Sequence, residues 1–232
     1  RPFDKAALVR MMFGKEVKLA AKSGVPPGKK VLTVKTGALD SIRLRIKDVN
    51  LEVRAGEVVG IAGMEGSGQD LFLRACGGLV EPSGGQFCLD ETETPMNGKT
   101  YHDYMRQGVA YLPAARLEKG LISGLSLAEH FTLSVKPRGT FIDKKAAATL
   151  SKARIAAFNI KGRPDSPVES LSGGNQQRAL LSLLPEKASL LLVEHPTRGL
   201  DIESTIYIWG KLRERCASAS SKKAISLNHT EP

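Results

Sequence analysis

The chain is short of cysteine, short of aromatic residues and free of long apolar runs. Its cysteines, Cys76, Cys88 and Cys216, are scattered, odd in number and without C-x-x-C spacing. They read as reduced structural thiols of a cytosolic protein and exclude a disulfide scaffold. The leucine-rich stretches are broken by Pro185, Glu186 and Lys187, so none reaches the ~20 residues a bilayer requires. Asp4, Lys5 and Arg10 interrupt the first apolar segment, and no signal peptide is expected. No Phe, Trp or Tyr occurs between Gly14 and Leu71.

What is present is ordinary for a globular chain: 232 residues, 41% hydrophobic and 25% charged. Such a length makes one large domain, or one and a half, with a sizeable core and no need of staples. The net charge is +10, from 34 Lys and Arg against 24 Asp and Glu. A basic balance suits nucleic acid, an anionic membrane face or phosphate ligands. The cations form no single block, although Lys15, Lys18, Lys22, Lys29 and Lys30 are denser near the start. A solvated surface accounts for most of them.

Residues 4–13 read as a short amphipathic helix that Asp4 can cap and Gly14 stops, and Lys15–Lys30 reads as a basic linker rich in Gly and Pro. Strands are expected at Val31–Lys35, Ile42–Val53, Glu57–Ala62, Val109–Leu112, Leu190–Val193 and Ala224–Leu227. Helices are expected at Leu71–Cys76, Lys144–Phe158 and Ile202–Arg215, and after Leu171–Arg178. Helices alternating with buried strands argue an α/β domain with a largely parallel sheet.

Three stretches carry chemistry. Leu171–Arg178 reads L-S-G-G-N-Q-Q-R, two glycines behind a serine and before an apolar helical run. Gly173 and Gly174 let backbone N–H groups approach an anion, and the helix dipole favours negative charge there. Taken alone, Ser-Gly-Gly is also an ordinary loop and N-cap. The second stretch, Gly63-Met64-Glu65-Gly66-Ser67-Gly68-Gln69-Asp70, lies between a strand and a helix and fits the glycines of G-x-x-x-x-G-K-[ST]. Gln69 stands at the lysine and Asp70 at the hydroxyl that would hold Mg²⁺. The point charge is missing and a negative one is added. Two like charges ~4 Å apart repel by ~4 kcal/mol at an effective dielectric of ~20. A tight turn into a helix is the plain alternative. The third stretch, Leu190–Asp201, is an apolar strand ending in Glu194 and His195, where two acids would serve metal and water. Glu194 keeps a carboxylate, whereas His195 reads equally as a histidine in a turn before Pro196. His229, after the last strand, could contact a γ-phosphate or simply lie on the surface.

In combination these residues resemble the ATP-binding cassette (ABC) ATPases. L-S-G-G-N-Q-Q at Leu171–Gln177 looks like their signature motif, and P-T-R-G-L-D at Pro196–Asp201 resembles the segment with their D-loop. G-I-A-G-M-E-G-S-G-Q-D at Gly60–Asp70 is similar to the lysine-less loop in the second ATPase half of simple-sugar and nucleoside importers. Val109–Arg116, followed by Gly120-Leu121, matches the segment around that half's Q-loop, with Ala114 and Ala115 where an acidic pair is usual. The resemblance spans essentially the whole chain. It implies a P-loop NTPase-like cassette: a mostly parallel sheet core, an antiparallel β part and a helical subdomain over about 115–185. Residues 1–30 would be the end of a preceding cassette and a linker, and 31–232 a cassette truncated at its C-terminus.

Several roles are implied with it. The domain's own loop (Gly63, Glu65, Gly66, Ser67, Gly68, Gln69, Asp70) would bind ATP and Mg²⁺ weakly or not at all. Ser172, Gly173, Gly174, Asn175 and Gln176 would face ATP held by a partner cassette, with Asp201 in the D-loop. Glu194 would be a metal-side carboxylate, and His195 and His229 candidate catalytic groups. Implied partners are an N-terminal cassette of the same polypeptide, membrane permease subunits and a periplasmic or lipid-anchored solute-binding protein. The implied place is cytoplasmic, peripheral on the inner face of the cell membrane, and the implied activity is that of a transporter's ATPase subunit, weak or inactive alone. Other readings are a non-transport cassette acting on nucleic acid, supported only by the charge, and a catalytically silent nucleotide-binding module.

Overall fold

The computed structural model describes residues 28–135 and 143–217 and the backbone of 224–229. The helix expected over residues 4–13, most of the expected linker and the His229 side chain lie outside the described residues. In chain order the strands are β1 (Lys30–Asp40), β2 (Arg45–Arg54), β3 (Val58–Ala62), β4 (Gly84–Leu89), β5 (Thr94–Pro95), β6 (Val109–Leu112), β7 (Leu190–Glu194) and β8 (Ala224–His229). The α-helices are α1 (Gln69–Cys76), α2 (Tyr101–Arg106), α3 (Leu127–Leu133), α4 (Lys144–Ala157), α5 (Gly173–Leu183) and α6 (Ile202–Ala217).

The strand β7 shows how sequence sets the layers. Its L-L-L-V-E run is buried along its whole length. A strand presents alternate residues to opposite faces, so a run without polar alternation must be covered on both sides. Leu190 and Leu192 pack into a core with α1 and the antiparallel strands, and Leu191 and Val193 into a core with α3, α5 and α6. Each such side chain contributes about 1.5–3 kcal/mol of burial. Four strands, in the order β3-β8-β7-β6, form a parallel sheet, and β2-β1-β4-β5 form an antiparallel one. The helical part begins with a π-helical turn at Arg116–Gly120 and continues through α3 and α4 to α5.

Elements near the site depart from expectation in specific ways. β1 runs on to Asp40, because register shifts against β2 let it bulge and continue. β2 starts at Arg45, not Ile42, whose side chain is fully exposed in a turn closed by Ser41 N–H donating to Leu44 O at 2.8 Å. β4, β5, α2 and α3 lie outside the elements that the sequence pattern predicts. α3 is seated by a capping box in which the Ser126 hydroxyl accepts from Glu129 N–H and the Glu129 carboxylate accepts from Ser126 N–H. Cys76, Cys88 and Cys216 are buried and joined in no disulfide, as structural thiols should be. Burial pushes the Cys76 thiol far up, out of reach of the thiolate.

Candidate functional site

Parallel sheets gather ligand chemistry at the carboxyl ends of their strands. Here the register brings three such ends level: Ala62 pairs with His229, and Glu194 with Asn228. The loop of residues 63–68 leaves β3 at this edge and enters α1, which packs across β7 and β8. Gly66 and Gly68 take φ of 81° and 101°, which an L side chain adopts only under strain. A β-carbon on Gly68 would come within 2.4 Å of Ile46 Cδ1 and 2.5 Å of Leu44 Cδ2, so the start of β2 lies directly on the loop.

Gln69 does not reach outward. Its Nε2 donates to Met64 O at 3.1 Å, and the Ser67 hydroxyl lies 3.0 Å from its Oε1 and 2.8 Å from Met64 O. A β-carbon on Gly63 would come within 2.4 Å of Gln69 Nε2. The buried amide therefore closes the hollow of the loop from inside. Asp70 stands exposed in the first turn of α1, placing a carboxylate where the helix dipole would favour an anionic ligand. Glu65 is also exposed and meets Arg198 only at 4.0 Å. A triphosphate with its metal needs a cation and open N–H groups at this spot. The residues present offer a neutral amide turned inward and two acids, and they do not fit that group.

Glu194 is buried at the end of β7, where its Oε2 accepts from Ala114 N–H at 3.2 Å. Burial pushes the Tyr111 phenol well up, and its hydrogen bond to Glu194 pushes it further. Both contacts tie the carboxylate to the end of β6. His195, half-buried, sits in the left-handed region at φ 40°, and its carbonyl accepts from Arg198 N–H at 3.2 Å in the turn that follows. Histidine tolerates that region better than most residues, which suits the turn reading. His229 is placed by its backbone at the end of β8, beside the start of the phosphate loop.

The signature stretch is built differently. Ser172 caps α5 in extended backbone, exposed, and its side chain takes no bond from the helix's backbone N–H groups. The helix's first-turn N–H groups have no partners within the helix. Asn175 steadies the turn, its Nδ2 donating to Ser172 Oγ at 2.8 Å and its Oδ1 accepting from Lys161 N–H at 2.7 Å. Gln176 is buried, with Nε2 donating to Leu171 O at 3.1 Å and Val168 O at 3.3 Å. Its amide braces the turn before α5. Asp201 caps α6: its Oδ1 accepts from Ser204 N–H and its Oδ2 from Ser204 Oγ, both at 2.8 Å. These bonds, the backbone one first, hold its carboxyl below the usual range.

Sequence reasoning missed Arg116. Its Nη1 donates to Arg198 O at 3.1 Å, and its guanidinium lies against Gly173. Ala114, Ala115, Arg116, Leu117, Glu118 and Gln176, with Arg198, line a pocket of about 350 Å³ between the end of β6 and the signature turn. An arginine just after two alanines at a strand end was the available signal.

A strand–glycine loop–helix unit, an acid at a central strand end and a serine-glycine helix start in a helical subdomain define a nucleotide-binding cassette. The chain belongs to the ABC transporter family, whose model matches residues 46–198. It has the ABC cassette fold: MJ0796, in a dimeric post-hydrolysis state with ADP and phosphate, superposes with a TM-score of 0.70 at 22% identity, over 85% of this chain and 88% of that one. Among curated relatives, the ribose import ATP-binding protein RbsA of Corynebacterium glutamicum is 30% identical, over 91% of this chain and 40% of its own length. The nucleoside import ATP-binding protein NupA of Lactococcus lactis subsp. cremoris is 31% identical, over 88% and 42%. The arabinose import ATP-binding protein AraG of Burkholderia pseudomallei is 30% identical, over 90% and 42%. The chain thus spans about two fifths of the length of these relatives. Among the described residues no helix is long and apolar enough to cross a membrane.

Proposed function

We propose that the chain is the C-terminal cassette of an importer ATPase for simple sugars or nucleosides, with a degenerate nucleotide site of its own. Its signature motif completes the ATP site of an N-terminal cassette in the same polypeptide. That protein sits at the cytoplasmic face of the cell membrane on permease subunits fed by a solute-binding protein. One observation carries the reading: the phosphate loop is closed by its own Gln69 amide, while the exposed Ser172 turn keeps the first N–H groups of α5 for an outside acceptor. Donors fixed where transition-state charge develops are worth several kcal/mol each in catalysis. Ser172, Gly173 and Gly174 supply them to the γ-phosphate in trans, and Glu194 and His195 shape the cassette's own weak site.

The test is Ser172→Ala and Gly173→Asp in the two-cassette protein assembled with its permease. ATP hydrolysis and solute uptake fall together, by about 10²-fold for the charged variant, where a carboxylate meets the phosphate. Unchanged hydrolysis in either variant refutes the reading.

A further inference from the structure

α5 carries the signature and α6 begins at the D-loop aspartate, and the two helices touch at three levels. At the first, Gly174 lies so close to Ser204 that a β-carbon would come within 2.4 Å of Ser204 Oγ. At the second, the Arg178 guanidinium stacks 4.1 Å from the centre of the Tyr207 ring. At the third, Arg215 donates to Leu184 O and Pro185 O at 3.2 Å and Leu181 O at 3.4 Å, closing the carbonyl end of α5. Residue numbers rise together along both helices, so they run parallel, start beside start.

We infer that α5 and α6 act as one rigid clamp, in which Arg178, Tyr207 and Arg215 are positioning residues. They hold the signature turn and Asp201 in fixed register toward ATP on the partner cassette. This rests on the trans reading given above. Arg178 also donates to Asn159 O at 2.7 Å, which ties the end of α4 to the same point. Its Nε and the neighbouring Gln177 Nε2 are buried without hydrogen-bond partners. For stability alone, an apolar side chain would fill that space at lower cost. What the arginine adds is geometry, because a planar guanidinium on a ring fixes the rotation of α5 about its axis. A helix led by two glycines has little intrinsic stiffness of its own. Around the ring, Lys211 lies 5.9 Å away, paired with Glu214 at 2.8 Å.

The experiment uses the two-cassette protein in its transporter and measures kcat and KM for ATP in Tyr207→Leu, Tyr207→Phe, Arg178→Lys and Ser172→Ala. Tyr207→Leu lowers kcat about tenfold, equivalent to about 1.4 kcal/mol, with KM within about twofold because the partner's loop still binds the nucleotide. Tyr207→Phe keeps the ring and restores kcat. Arg178→Lys loses the planar stack and falls between them, and it carries the test alone if Tyr207→Leu does not fold. Wild-type kcat in Arg178→Lys and Tyr207→Leu, or equal losses in Tyr207→Phe and Tyr207→Leu, overturns the clamp. The serine separates the two failures. A silent Ser172→Ala sinks the trans reading, and the clamp's role toward ATP with it. An impaired Ser172→Ala beside an unaffected Tyr207→Leu sinks only the clamp.

Discussion

Gly174→Ala probes a close approach between α5 and the start of α6. Its new β-carbon would lie 2.4 Å from Ser204 Oγ, 3.2 Å from Ser204 Cβ and 3.7 Å from Asp201 Oδ2. The hydroxyl cannot rotate away freely, because it donates to Asp201 Oδ2 at 2.8 Å. Overpacking of this kind costs about 1–3 kcal/mol, and the better helix propensity of alanine returns about 1 kcal/mol. The net loss is about 1 kcal/mol, or about 2–4 °C in Tm for a chain of this size. Ser204→Ala removes the clashing oxygen and leaves the Ser204 N–H bond to Asp201 Oδ1 in place. In the double variant the alanine at 174 should therefore cost less than half of what it costs alone. Thermal or urea unfolding of the four proteins of this cycle measures that coupling. Equal costs of Gly174→Ala with and without the serine hydroxyl refute the packing argument.

Two further outcomes concern stability. His130 is buried, its Nε2 accepting from Ile122 N–H and its Nδ1 bonded to Ser126 O, both at 2.8 Å. His130→Leu loses both bonds at about 1 kcal/mol each, and its Tm should fall by about 4–8 °C; an unchanged Tm contradicts this. Asp103, Glu129 and Asp201 each have a carboxyl held below its usual range, by the Thr100 side chain, the Ser126 side chain and the Ser204 backbone N–H respectively. Depressed carboxyls in the folded state mean that the unfolded chain binds more protons as pH falls. Their contribution is therefore complete above the ordinary values of 3.8 and 4.5 and drains away as pH drops through the lower folded ones. Urea midpoints should hold steady above about pH 5 and decline below about pH 4. The combined Glu129→Gln, Asp201→Asn variant should decline less steeply; an identical slope counts against the assignment.

β6 and β7 were readable because strands buried on both faces read as near-continuous apolar runs. Val109–Leu112 was placed to the residue, and β7 differs only by Glu194. The short elements were harder. α3 spans seven residues with a polar histidine at its buried face, and only its Ser126-x-x-Glu129 box announced it. β5 is two residues long and contains Pro95, with no period to detect. At the site, the residue types were legible but their directions were not. Gln69 was readable as a missing charge, yet nothing in the sequence said that its amide turns inward to Met64 O. Asp201 was readable in a motif, while its bonds make it a helix cap. Arg178 and Arg215 hid inside helical runs, since their partners Tyr207, Asn159 and Pro185 are distant in sequence.

A chemically disabled phosphate loop is what makes the chain a partner in trans. The most direct measurement is titration of the chain with ATP and Mg²⁺ beside the Gln69→Lys, Asp70→Ser variant. Restoring the cation and removing the acid should tighten binding at least about tenfold, a difference of about 1.4 kcal/mol. If the unaltered chain binds as tightly as the variant, the loop is not degenerate and the chain holds a working nucleotide site of its own.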